Sequence, residues 1–165
     1  MRCTPLTVAI PLLVVALVCA GCGGSDRPEY ERGLAKVGRS VDRALAKLPT
    51  DATSSPGPDQ IATLANDLEA SADDLDDLST PEDAKAPERK LERGLRGVAT
   101  AFAGLATDLR GAQTDVAKAE LFVSFATDAD IDRAFEDLSS AQEDYAKVGY
   151  RVFDTKIEQP AAAKG

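Results

Sequence analysis

From Leu91 onward the chain repeats large apolar residues at alternating spacings of four and three: Leu91, Leu95, Val98, Phe102, Leu105, Leu109, Ala112 and Val116. Such a pattern places one continuous apolar stripe on a helix and would scatter the same side chains over both faces of a strand, so it commits this stretch to helix. Three further segments carry the same signal. Tyr30, Leu34, Val37, Val41, Ala44 and Leu48 define a first helix from about Pro28 to Leu48. Ile61, Leu64/Ala65, Leu68, Ser71/Ala72, Leu75 and Leu78 define a second from Asp59, read as its N-cap, to Leu78. Ile131, Ala134/Phe135, Leu138, Ala141, Tyr145, Val148 and Val152 define a last helix opened by Thr127-Asp128. The expected fold is all-α, an antiparallel up-down four-helix bundle.

The punctuation between these seams agrees. Pro28 suits a first helical turn, with Glu29 and Glu31 near the positive end of the helix dipole and Arg39, Arg43 and Lys47 toward the negative end. Thr50–Pro58 and Ser79-Thr80-Pro81 are loops. The third helix begins between Pro81 and Glu88, with Pro87 ending a preliminary turn or occupying the first helical position. Gly97, Gly104 and Gly111 share a heptad position off the seam, either as an exposed face or as a flat stripe for a close neighbour; Gly94 lies nearby.

The stretch Ala117–Ala126 has the β-favouring run Leu121-Phe122-Val123-Ser124-Phe125, but no partner strand is legible anywhere. It is expected to be helix, continuing the third or kinked from it, with its large apolar residues plugging one end of the bundle. Few aromatic residues (5%), no Trp and much Ala and Leu fit a bundle better than a sheet sandwich.

Ahead of this domain stands an export signal. Leu6–Val18 is an apolar run of 13 residues after a start whose only formal side-chain charge is Arg2, too short to cross a bilayer comfortably. It ends in Leu17-Val18-Cys19-Ala20-Gly21-Cys22-Gly23-Gly24-Ser25. That junction resembles the lipobox of bacterial lipoproteins, although Cys19 stands where lipoboxes usually carry Leu and Pro11 interrupts the apolar run. An uncleaved anchor and an ordinary secretory signal are the other readings.

The resemblance implies removal of residues 1–21 and lipid on Cys22, held stably by two or three acyl chains. It gives a signal peptide at 1–21, a flexible tether at 22–28, a helical bundle at 29–157 and a disordered tail at 158–165 (Glu158–Gly165). The spacer Gly23–Pro28 spans ~20 Å when extended, keeping the domain close to the membrane.

Cleavage would remove Arg2 and no acid, moving the net charge from −9 to −10. So acidic a domain is a poor match for nucleic acid or for electrostatic docking on anionic lipid. It would also lose Cys3 and Cys19, leaving no disulfide framework. Histidine is absent, which excludes Ser-His and Cys-His triads and zinc or di-iron sites built on imidazole.

Three features bear on chemistry. Asp128, Asp130 and Asp132 have the opening spacing of a calcium-binding EF-hand loop, but Arg133 replaces its glycine and Ser139 its final glutamate; an acidic helix start explains them too. In Asp73-Asp74-Leu75-Asp76-Asp77, the carboxylates of Asp73, Asp76 and Asp77 are neighbours on a helix and are the candidate cation ligands. The alternative is a solvated face balanced by Arg32 and Lys36, or by Lys85, Arg89, Lys90 and Arg93.

That second helix carries no basic residue at all, whereas Glu29–Leu48 holds five basic and three acidic residues, so these two helices are expected side by side. Tyr145, Gly149, Tyr150 and Phe153 gather aromatic weight at one end; Tyr145 and Tyr150 mark either plain packing or a small-ligand end. The acids sit off the seams, no nucleophile has a base beside it, and no phosphate loop is present. No catalytic residue and no cofactor is assigned.

The whole layout is similar to the small Ala/Asp/Arg-rich lipoproteins of high-GC Gram-positive and related bacteria. Cys22-Gly23-Gly24-Ser25-Asp26, the acidic helix ending Leu78-Ser79-Thr80-Pro81, and Val148-Gly149-Tyr150 carry this likeness. The family has no assigned activity. The expectation is a non-enzymatic lipoprotein, anchored outside the cytoplasm to the cell membrane through Cys22 and meeting an envelope protein. The alternative is an extracytoplasmic module that binds a small molecule or cation.

Overall fold

The computed structural model describes residues 27–47 and 55–153, and these are helical with no strand among them. Five helices follow one another: α1 (Arg27–Leu45), α2 (Pro58–Asp76), α3 (Lys85–Gly111), α4 (Asp115–Ala126) and α5 (Ala129–Lys147). Cys22, the leader 1–21 and the tail 158–165 lie outside the described residues.

The seams are what is buried. Tyr30, Leu34, Val37, Val41 and Ala44 of α1 face Leu64, Leu68, Ala72 and Leu75 of α2 and Leu91, Leu95 and Val98 of α3 in one core. Ion pairs report the directions of the helices. Lys36–Asp74 (3.2 Å) and Lys47–Asp67 (2.6 Å) align α1 antiparallel to α2, which is the expected placement of the basic helix beside the acidic one. Arg110–Asp59 (3.0 Å) and Arg96–Asp73 (3.0 Å) align α2 antiparallel to α3. Arg93–Asp137 (3.0 Å) and Lys90–Asp144 (2.5 Å) do the same for α3 and α5.

Local chemistry explains the boundaries. α2 starts one residue earlier than Asp59: Gly57 is its N-cap, Pro58 fills the first position, and the Gly57 N–H donates to Gln60 Oε1 at 2.9 Å. Proline sits there without loss because that N–H has no helical acceptor. Pro87 is buried within the first turn of α3, where the same reasoning holds.

The segment after α3 corrects the expectation. Ala117–Ala126 neither continues the third helix nor kinks from it. α3 stops at Gly111, Ala112 turns extended (ψ 120°), and Thr114 caps a new helix through Oγ1, which accepts the Ala117 N–H at 3.2 Å. α4 then doubles back, bringing Phe125 to 5.0 Å from Phe102. Ala112 and Val116 therefore leave the seam of α3, and Val116 is 69% exposed. The apolar residues of α4 are not a plug. Leu121, Phe122 and Phe125 are half-buried on a small second cluster of Ile61, Leu105, Ala106 and Leu109, and Val123 is exposed.

Gly94 and Gly97 are where α3 and α5 approach each other. A Cβ on Gly94 would lie 2.7 Å from Leu138, and one on Gly97 2.9 Å from Ala134 Cβ. Gly104 and Gly111 face open space, so the four glycines divide between a contact and an exposed surface.

Candidate functional site

The end of the domain where α1 and α3 start and α5 stops holds all three tyrosines of the chain, Tyr30, Tyr145 and Tyr150. Tyr30 comes from the start of α1 and Tyr145 from the last turn of α5. Tyr150 is brought back by a helix stop. Gly149 takes φ +86°, its N–H donates to Ala146 O at 3.2 Å, and the Tyr150 N–H donates to Tyr145 O at 2.9 Å. This paired closure satisfies the last carbonyls of α5, and it needs a residue at ease in the left-handed region. The chain then runs along α1, with Val152 and Phe153 buried and the Val152 carbonyl against Gly38.

The rings pack edge to face, Tyr30–Tyr150 at 5.4 Å and Tyr145–Tyr150 at 6.2 Å between centroids. Their hydroxyls form two polar links. The Tyr30 hydroxyl lies 2.7 Å from that of Tyr145 and 2.8 Å from Glu88 Oε2, while the Thr80 hydroxyl lies 2.6 and 2.7 Å from the two Glu88 oxygens. An ionised carboxylate only accepts, so Thr80 and Tyr30 donate to it and Tyr145 donates to Tyr30. The Tyr150 hydroxyl donates to Asp83 Oδ1 at 3.2 Å. Arg27 covers the cluster, with its guanidinium carbon 4.3 Å from the Tyr150 ring centroid and Nη2 donating to Val148 O at 3.0 Å.

Burial controls the acid–base character here. It pushes the Tyr30 and Tyr145 hydroxyls well above the usual phenol range, so they stay neutral donors. Burial likewise raises the Glu88 carboxyl, opposed by the hydrogen bonds from Thr80 and Tyr30 and aided by Glu92 and Asp76. Every buried side-chain nitrogen or oxygen among the described residues has a partner. The arrangement can pin three helices together.

Tyr145 and Tyr150 thus come together at this end of the domain, both buried. Tyr30, Glu88, Thr80, Asp83 and Arg27 are the members that sequence reasoning missed. Glu88 had a signal: it stands three and seven residues before Leu91 and Leu95, on the seam's own face, so the seams are not free of acids.

The acidic residues are dispersed. Asp73 pairs with Arg96 and Asp74 with Lys36, while Asp76 and Asp77 are exposed. Of the six basic residues expected as balancing charges, only Lys36 meets this cluster; Lys85, Lys90 and Arg93 are committed to Glu82, Asp144 and Asp137. Asp128 caps α5, its Oδ1 accepting the Asp130 N–H at 2.7 Å, and Asp130 pairs with Arg133 at 2.7 Å. No group of three or more carboxylates or other ligands suited to a metal ion occurs among the described residues. No described helix is long and apolar enough to cross a membrane.

The fold and this end together define an all-helical acidic domain closed by a buried tyrosine–carboxylate pin. No family model, no curated protein and no solved structure matches the chain.

Proposed function

We propose that this protein is a non-enzymatic lipoprotein, tethered outside the cytoplasm to the cell membrane through lipid on Cys22, whose helical domain works by contact with an envelope protein. The observation that carries the reading is the junction Leu17–Ser25, with its small residues before Cys22, placed five residues ahead of Arg27 where α1 begins. In this reading α4 and α5 stack end to end as the fourth rod of an up-down bundle, α4 beside the C-terminal half of α3 and α5 beside its N-terminal half. The tyrosine end then faces the membrane at ~18 Å or less from Cys22, and α4 lies at the far end.

Support for a contact role comes from the closed chemistry of the interior. The tyrosine hydroxyls are satisfied within the cluster, and their burial disfavours a phenolate base or nucleophile. The cation- or small-molecule-binding alternative has less behind it, because Asp73 and Asp74 are engaged by Arg96 and Lys36 and the rings of Tyr145 and Tyr150 pack on each other.

Alkaline carbonate washing of membranes from cells making the wild type or Cys22→Ala tests the tether. Retention of the wild type with release of the variant is the expected outcome. Because Cys22→Ala also loses the cleavage position, retention of both overturns the tether where the retained wild type still carries residues 1–21.

A further inference from the structure

α4 is anomalous. Eight of its twelve residues are apolar, yet none is buried. A helix apolar on all sides is ordinarily enclosed by neighbours; among the described residues this one has α3 and the start of α2 on one side only. Its outer side carries Val116, Ala119, Val123 and Ala126, a three-four seam that is exposed throughout, with the valines 69% and 66% accessible. Beside it runs a groove of about 350 Å³ between Pro56–Pro58, Leu109 and Phe122.

The charges around the seam say what fits there. Asp115 and Glu120 stand on α4 and Asp128 two residues beyond it; Asp115 is paired with Lys118 at 3.3 Å, and Arg110 is held by Asp59 at 3.0 Å. Glu120 has no cation among the described residues. A second copy would bring the same acids and the same net charge of −9 against this fringe, which repels. A bilayer selects helices with bulky aromatic or Leu residues outward and Lys or Arg beside them, whereas α4 offers Val and Ala beside acids.

We infer that the outer seam of α4 is the docking surface for a partner helix with small or aliphatic residues in its seam and Lys or Arg on its flanks. This names the partner chemistry of the contact role proposed above and rests on that role, but not on the lipid.

The test uses the full chain as Cys22→Ala, so failure of the tether would not touch the result. The probes are two synthetic amphipathic helices with the same Leu/Ala seam, one flanked by Lys and one by Glu. Binding is read by titration, and the footprint by amide hydrogen exchange. The Lys-flanked helix should bind and protect α4, the Glu-flanked one should bind at least tenfold more weakly, and Val116→Ser/Val123→Ser and Glu120→Lys should each weaken binding about tenfold.

Four results would overturn the inference: no binding of either helix, equal binding of both, binding of the Lys-flanked helix that the valine variants leave unchanged, or a footprint away from α4. Sedimentation showing a dimer lost in Val123→Ser would assign the seam to a second copy, and flotation with anionic vesicles lost in that variant would assign it to lipid. Either would replace the inference.

Discussion

The hydroxyls of Tyr30 and Tyr145, from the first and last helices of the domain, meet at 2.7 Å with Glu88 2.8 Å beyond. One hydrogen-bond chain thereby ties α1, α3 and α5. Tyr30→Phe removes the middle of it, leaving the Tyr145 hydroxyl without its partner and the Glu88 carboxylate with Thr80 alone; urea denaturation should show a loss of about 1–3 kcal/mol. Tyr145→Phe removes only the terminal donor and should cost about 1 kcal/mol. The double variant should lose less than the sum, because the two changes break one chain.

Acidity should act on this cluster in an unusual direction. Burial raises the Glu88 carboxyl above the ordinary glutamate range, so the folded state binds its proton more readily than the unfolded state. Stability from this group therefore rises as pH falls from neutrality through the folded pKa, and levels off below the unfolded one. Asp137, lowered by Arg93, and Asp144, lowered by Lys147 and Lys90, work oppositely: their contribution is present above the usual aspartate range and lost as pH falls through their folded values. Denaturation midpoints should show a gain on mild acidification in the wild type and a smaller one in Glu88→Gln, followed by a loss at lower pH in both. The amide introduced by Glu88→Gln can still accept from Tyr30 through its oxygen and donate to Thr80 through its nitrogen, so the variant should fold.

Glycines of equal intrinsic helix cost should respond with opposite sign. Gly104 faces open space within α3, so Gly104→Ala should stabilise by about 1 kcal/mol. At Gly38 a Cβ would fall on the Val152 carbonyl, and Gly38→Ala should displace the C-terminal strap and cost about 1–3 kcal/mol. Thermal melting of the two variants beside the wild type checks both.

Amide exchange should grade the helices. α4 buries no residue, while α3 buries nine along its length. Amides of α4 should exchange at a lower opening free energy than those of α2, α3 and α5. Equal protection across all five helices would mean that α4 opens only with the whole domain.

Much of this architecture is legible because a single apolar stripe determines which way a helix must face: Leu34, Leu68 and Leu95 are buried where their spacing puts them. What is not legible follows from contacts distant in sequence. Tyr30 and Tyr145 look like ordinary seam residues until the fold aligns their hydroxyls, and Glu88 reads as a surface acid until Thr80 closes over it. The break before α4 depends on the Thr114 cap and the weak helix preference of Gly111, which a continuous apolar period hides. A glycine at Gly149 is a ready helix stop, but its consequence, the burial of Tyr150, needs the strap along α1.

Attachment through Cys22 is read from the intact mass of the protein recovered from membranes. The expected chain starts at Cys22 and carries the added mass of acyl groups, with that addition absent from Cys22→Ala. A mass that retains residues 1–21, or one that starts at Cys22 without lipid, would contradict it.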